Sequence, residues 1–455
     1  MGETLQIIAK RLVDGNVIEE HTILEKPINQ VNSIEELGFS HKEQIGLISD
    51  CQEQLLQTQS LGFYEDIEAC PKCGSKFKFA GTVKSLFHSV FSDHKVPIRR
   101  RKCCNKSCGW TSVPSIASLF KTNNHPDLSK LQIEMSANYT YRHAQKILNA
   151  MSYYERKVNN HNHLHDVVET VGNYICSNQN HEIPKDIDAS AELILQIDGG
   201  HLKTKAPNSR SFEVLTSVIY NPNNIKYSTR RNADELEEAA PRRAEILSKH
   251  CAASALDDDL KTIKKQTLLA AQKQGMTVET EITALCDGGT NCWNVVDALD
   301  GQCAKITRIL DWFHVSMKFQ NISLSEDLAK KLERIKWCVW NGLIAEGLSR
   351  FDEIIIVVNN GKMKERMKKL KNYLSNNRDY LVNYSERYRK GKLVSSSLAE
   401  SNVESLINQR CKGQRHMKWT REGAHPLLQI RASIASNDWS IYSAAYVLNA
   451  TTQAA

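Results

Sequence analysis

AELILQIDGG, from Ala191 to Gly200, and EITALCDGG, from Glu281 to Gly289, are compact apolar runs that each stop at an acid followed by two glycines. Such a run suits a buried strand whose end presents its carboxylate at a sheet edge or cleft. One Asp-Gly-Gly is weak, because Asp and Gly commonly make turns. Its recurrence, at Asp198 and Asp287, is a much stronger pattern. Between the two, Ser211–Tyr220 reads as another strand ending in an NPNN turn, and charged sequence from about Asn232 to Gln274 reads as helical. Beyond them, Ile306–Val315 supplies one more strand that ends in Asp311 and His314.

Two carboxylates that must meet across neighbouring strands are what an RNase H-like α/β sheet provides. Phosphoryl transfer is the chemistry that needs them. Two Mg²⁺ ions about 3.5–4 Å apart activate an attacking oxygen and stabilise the leaving one, and Mg²⁺ prefers hard oxygen ligands. A third acid is therefore wanted. SSSLAESNVESLIN, from Ser395 to Asn408, offers Glu400 and Glu404, four apart and on one face of a helix.

A chain of 455 residues is too long for one core, so several domains are expected. Hydrophobic residues make up 41% and charged residues 24%, which is ordinary for a soluble protein. No apolar run approaches a membrane span, and the N-terminus lacks a secretory pattern. A cytoplasmic, nucleoid-associated protein is expected. The net charge of +7 fits contact with a polyanion without demonstrating it. Its distribution says more: Gly361–Lys392 holds eleven Lys or Arg against three acids, with four tyrosines interleaved. That stretch reads either as a solvated helical face or as a surface that tracks phosphates, with Lys368, Lys369 and Arg387 as candidates.

Thirteen scattered cysteines do not form a secreted disulfide framework. Cys70-Pro-Lys-Cys73-Gly is a zinc knuckle, and Cys103-Cys104-Asn-Lys-Ser-Cys108-Gly about thirty residues on is a second, irregular one. Cys104 lies nearer the usual spacing to Cys108 and is favoured, with Cys103 competing. Cys70, Cys73, Cys104 and Cys108 then hold a structural Zn²⁺ in a ribbon. His161, His163 and His165 read as a plain loop or helix start. After Pro126, two apolar-periodic segments around an Ala-Asn-Tyr-Thr turn, the second capped by Thr140, read as a helix-turn-helix or an ordinary helical hairpin. In the first case Tyr141, Arg142 and Gln145 project from a recognition helix toward DNA.

The segments QIDGGHLK, ALCDGGTN, ILDWFHVSMKFQ and AESNVESLINQRCKGQRHMKWTREGAHPLLQIRASI resemble the DDE transposases of bacterial insertion sequences, specifically the ISKra type, with related orders of acids in ISL-type and Mutator-like transposases. With the cysteine knuckles they span residues 70 to about 435. The resemblance implies that Asp198, Asp287 and Glu400 are the three acids holding Mg²⁺ (or Mn²⁺). A sister-family alignment would instead favour Glu404. Asp311 and His314 match the family's Asp-x-x-His and are expected to support the site. Cys411, where Met is expected, and the widened second knuckle depart from the pattern.

The implied architecture has an N-terminal segment (1–65), a zinc ribbon (66–120) and a helix-turn-helix region (121–185). An RNase H-like core (186–315) follows, then a helical insertion (316–394) and C-terminal core helices with the third acid (395–455). The implied activity is cleavage of transposon ends and strand transfer into double-stranded target DNA, by a homodimer or higher oligomer. The alternatives are a nuclease of the same fold and a catalytically silent DNA-binding regulator.

Overall fold

The computed structural model describes residues 3–63, 67–178, 187–228, 243–396, 403–412 and 417–452. The chain divides into two compact units, Met1–Val168 with Ser443–Ala455, and Glu169–Tyr442. No helix among the described residues is long and apolar enough to cross a membrane.

The first unit opens with an antiparallel ribbon, β1 (Glu3–Val13) and β2 (Asn16–Ile28). Asp14 and Gly15 join the strands with φ of 49° and 80°, the positive angles that tight hairpin turns require. Helix α1 (His41–Gln59) starts at Ser40, which forms a reciprocal capping box with Glu43. A second hairpin follows, β3 (Phe77–His88) and β4 (Asp93–Cys103). Leu56, Val96, Ile98 and Ile116 form its core, with Ile116 contributed by the short α2 (Ile116–Phe120). Helices α3 (Pro126–Asn138) and α4 (Tyr141–Ala150) pack through Ala144, Leu148 and Leu164. Leu164 belongs to α5 (His161–Asn178), so the histidine-rich stretch is a helix start.

The second unit is built on a mixed five-stranded sheet within an α/β arrangement. Its strands are β5 (Glu192–Lys203), β6 (Ser211–Tyr220), β9 (His250–Ser254), β10 (Glu281–Cys286) and β11 (Lys305–Leu310). A separate small ribbon, β7 (Ile225–Ser228) and β8 (Arg243–Ile246), lies between β6 and β9 in sequence. The sheet order is β11-β10-β5-β6-β9. Strands β5, β10 and β11 run parallel, while β6 is antiparallel to both β5 and β9. From Leu193 to Ile197 every residue of β5 is buried, as a strand covered on both faces requires.

Two expectations need correction. Strand β5 does not stop at Asp198 but continues through the glycines to Lys203, because His201 to Lys203 keep pairing with Ser211 to Glu213. The stretch read as helical from Asn232 holds β8 and β9, and its described helix, α6 (Lys261–Lys273), starts only at Lys261. His250–Ser254 is a short, nearly uncharged run that completes the sheet beside β6.

Helix α7 (Thr290–Val296) follows β10, and α8 (Trp312–Gln320) follows β11. Next come α9 (Glu326–Trp340), α10 (Ile344–Val357), α11 (Gly361–Asn376) and α12 (Tyr384–Arg389). A π-helical turn, Val403–Asn408, leads into α13 (Gln409–Cys411), followed by α14 (Arg421–Ala435) and α15 (Trp439–Thr452). Gln429 of α14 donates to the Ala253 carbonyl at 2.6 Å and accepts from Gln266 of α6 at 2.6 Å, fixing both helices to the β9 edge.

Candidate functional site

The register of the parallel strands brings the acids together. Cys286 lies opposite Ile197 on one side and Leu310 on the other. Asp198, Asp287 and Asp311 are each the next residue, so three carboxylates follow one transverse row of the sheet. Neighbouring strands are only about 4.8 Å apart.

Each acid has a different neighbourhood. Asp198 is half-buried, and its Oδ1 accepts from the Gly199 amide at 2.8 Å. Burial raises its pKa most, His314 opposes that, and the charges of Asp287 and Asp311 raise it further. Asp287 accepts at Oδ1 from the Gly289 amide at 2.8 Å, at the start of α7. Its main-chain carbonyl receives the Tyr373 hydroxyl at 2.7 Å. Gly288 between them has φ of 91°, and a Cβ there would stand 2.9 Å from Asn377 Oδ1 and Leu310 Cδ1. Only glycine fits that turn without strain.

Asp311 is 2% exposed and engaged at both oxygens. Oδ1 accepts from the Phe313 amide at 3.0 Å, capping α8, and from the Ser396 amide at 3.1 Å. Oδ2 accepts from the Ser396 hydroxyl. The carboxylate therefore ties the strand end to the chain that leads toward residue 400. His314 lies one helical turn on, with Nδ1 3.7 Å from Asp311 Oδ2, too long for a hydrogen bond.

Of the two candidate third acids, Glu400 lies outside the described residues. Glu404 is exposed on the π-helical turn, where it accepts from the Asn408 amide group at 2.7 Å. That turn packs against β5: a Cβ on Gly200 would lie 2.9 Å from Ile407 Cδ1 and 3.1 Å from Val403 Cγ1. Gly200 is two residues from Asp198, so the turn covers the face that Asp198 shares. Buried Arg431 holds it there, donating to the carbonyls of Leu406, at 2.8 Å, and Ser405. Sequence reading missed Ser396, Tyr373 and Arg431; only the interleaving of Tyr373 with basic residues hinted at any of them.

The donors that meet here are oxygens. The nearby thiols of Cys286 and Cys292 are both pushed up by burial and by the charge of Asp287, and stay protonated. Asp198 and Asp287 offer the hard oxygen donors that a divalent cation prefers, but together with Asp311 they do not converge within 4.8 Å as the four cysteines do.

In the first unit a different donor set converges. Cys70, Cys73, Cys103 and Cys108 have their sulfurs within 4.8 Å of one another. Cys70 and Cys108 are 3.7 Å apart, and Cys73 and Cys103 are 3.4 Å apart. A tetrahedral site with Zn–S bonds of ~2.3 Å has sulfur–sulfur edges of about 3.8 Å, so the set fits Zn²⁺. Hydrogen bonding to Ser75 brings the Cys73 thiol down to about 6. Knuckle glycines Gly74 and Gly109 have φ of 70° and 67°.

Here the preference for Cys104 is corrected. Cys103 ends β4 opposite Phe77, which directs its sulfur to the first knuckle, and Cys104, one residue on, is exposed and outside the cluster.

Helices α3 and α4 form the expected pair, joined by the shorter turn Tyr139-Thr140, and Thr140 caps α4 through the His143 amide at 3.3 Å. Arg142 is exposed on α4, while Tyr141 packs edge-on against His165 with ring centroids 5.4 Å apart. Gln145 is turned to the start of α5, accepting from the His161 amide at 3.0 Å. Among the basic candidates, Lys368 pairs with Glu365 at 3.1 Å and Lys369 is exposed. Arg387 is half-buried, donates to the Leu393 carbonyl at 3.4 Å and so braces its own loop.

No family model matches the chain, and no curated protein matches it. Among solved structures it is similar to the Drosophila P element transposase strand transfer complex, at 10% identity. The match covers 68% of this chain and 91% of that one with a TM-score of 0.29, too low to establish a shared fold.

Proposed function

We propose that this chain is a DDE-type transposase, of the insertion-sequence kind its motifs resemble, that cuts transposon ends and joins them to target DNA. The observation that carries the reading is that Asp198 on β5 and Asp287, the residue after the end of β10, follow the same paired row of two adjacent parallel strands. The sheet order supports an RNase H-like core. Three antiparallel strands come first in the chain, β5, β6 and β9, and two strands parallel to β5 then extend the sheet on its other side.

Asp198, Asp287 and a third acid would hold the cations. Magnesium or manganese bound there supplies activation of the attacking oxygen and stabilisation of the leaving one. Glu400 is preferred as the third acid, as the resemblance implies from its spacing to Arg410, Met417 and Trp419, with Glu404 as the competitor. Asp311 acts as a positioning residue that holds Ser396, and Arg431 holds the carbonyls of the turn beyond. His314 stands beside the acids, one helical turn from Asp311. A water first frees a 3′-hydroxyl at the element's end, and that hydroxyl then attacks target DNA. Both steps are phosphoryl transfers, so one site serves both. Zinc at the cysteine cluster is structural in this reading, Arg142 on α4 faces DNA, and synapsis of two ends calls for at least a dimer in the nucleoid.

The test is cleavage and joining of DNA carrying the element's own ends, with Mg²⁺. Wild type is compared with Asp198→Ala, Asp287→Ala, Glu400→Ala and Glu404→Ala. Both Asp variants and one Glu variant are expected to fall to background while still binding DNA. Cutting without joining would make the chain a nuclease. Binding without cutting, or full activity in the Asp variants, would leave a DNA-binding regulator as the better account.

A further inference from the structure

Helix α11 sorts its cations by face. Lys368 and Lys371 are neutralised, by Glu365 at 3.1 Å and by Asp352 at 2.6 Å. Arg366, Lys369 and Tyr373 fall on another stripe, at spacings of three and seven. That stripe lines a cleft of about 450 Å³, to which α8 contributes Lys318. No carboxylate lines the cleft, and among the described residues Lys318, Arg366 and Lys369 have no ion pair. Arg366 donates to the Asn321 carbonyl at 2.8 Å, which fixes its guanidinium at the rim. The Lys318 ammonium sits 4.3 Å from the centre of the Tyr373 ring, a weak electrostatic partner.

Three cations gathered without a counter-charge repel one another, and an anion between them removes that cost. The cleft also adjoins the carboxylates, since the Tyr373 hydroxyl on its wall donates to the Asp287 carbonyl at 2.7 Å. An anion seated there lies one side chain away from the Asp287 turn.

We propose that the cleft between α8 and α11 is a phosphate-binding subsite that seats the backbone of a nucleic-acid strand beside Asp287. The proposal rests on the DNA-processing reading above and extends it to Lys318 and Arg366. Phosphodiesters suit the cleft because they carry one negative charge each and recur along a strand. Tyr373 adds a face to pack against sugar or base.

The test is the affinity of the full chain for a short labelled duplex across a salt series, without added Mg²⁺. Lys318→Gln, Arg366→Gln and Lys369→Gln are compared with Lys371→Gln and with Lys330→Gln, whose lysine pairs with Glu326 at 2.8 Å. Each cleft variant should flatten the plot of log affinity against log salt by about 0.9 and weaken binding about tenfold near 0.1 M salt. The two paired-lysine controls should stay close to wild type. Equal behaviour of cleft variants and controls overturns the proposal. So does displacement of the duplex by inorganic phosphate beyond that by chloride at matched ionic strength, if the cleft variants lose it, since the site would then take a free anion. Cleavage is scored separately on the same proteins. If wild type cuts while the slopes hold, the subsite fails alone; if the slopes fall but nothing is cut, the catalytic reading fails alone.

Discussion

The cysteine cluster and the carboxylate row each bring like side chains to one place, by opposite means. The four cysteines come from within 39 residues, Cys70 to Cys108, and meet at the end of one hairpin with little apolar support beyond Phe77 and Trp110. The acids come from strands far apart in sequence and are aligned by a register that the buried sheet enforces. A one-residue slip in such a strand turns every side chain to the other face, so burial itself guards the site. The first set depends on a short hairpin with a small core, the second on the pairing of buried strands.

The sharpest way to break the comparison is to remove zinc. Structural zinc contributes about 10–16 kcal/mol in small domains. Cys103→Ser should therefore release the metal and expose the β3–β4 hairpin to protease, while Cys104→Ser keeps both metal and protection. Equal zinc content in the two variants would sink the assignment of Cys103.

Acid should act on the second unit through a buried histidine. His425 of α14 is buried behind the sheet, where it accepts from the Ala255 amide at 3.4 Å, and burial lowers its pKa from 6.5 to about 4. A depressed histidine favours the neutral form, so its contribution is fully present above 6.5 and is lost as the pH falls through about 4. The shift corresponds to about 3 kcal/mol. Denaturant unfolding of the second unit should lose stability over that window, and His425→Gln should flatten the dependence. An unchanged pH profile in the variant would remove His425 from the account.

The smallest effect belongs to the support of the acids. Tyr373→Phe deletes the hydroxyl that holds the Asp287 carbonyl. Cleavage is expected to fall about 10–100-fold, the range for groups that orient metal ligands, with duplex affinity unchanged. A loss of affinity with full turnover would show that Tyr373 serves the cleft and not the Asp287 turn.

Much of the framework is legible in the residues themselves. The apolar runs before Asp-Gly-Gly place Asp198 within a strand and Asp287 just past the end of one, because a buried strand must be apolar. The Cys-x-x-Cys knuckle and the Thr140 cap are equally local: both depend on spacings of two or three residues. Other features are invisible at that range. Whether Cys103 or Cys104 meets the knuckle depends on the pairing of β4 with Phe77. The single carboxylate of Asp311 unites α8 with Ser396, 85 residues away, and no periodicity in the chain announces it. The basic segment 361–392 is uniform as a string, yet folding pairs Lys368 and Lys371 with acids and leaves Lys369 facing a cleft with Lys318 and Arg366. Sequence by itself determined which residue types exist to do the chemistry and which strands carry them, since burial and turn geometry act over a few residues. Only the tertiary structure decided which of them face one another, since register and helix packing act between segments that the chain order leaves far apart.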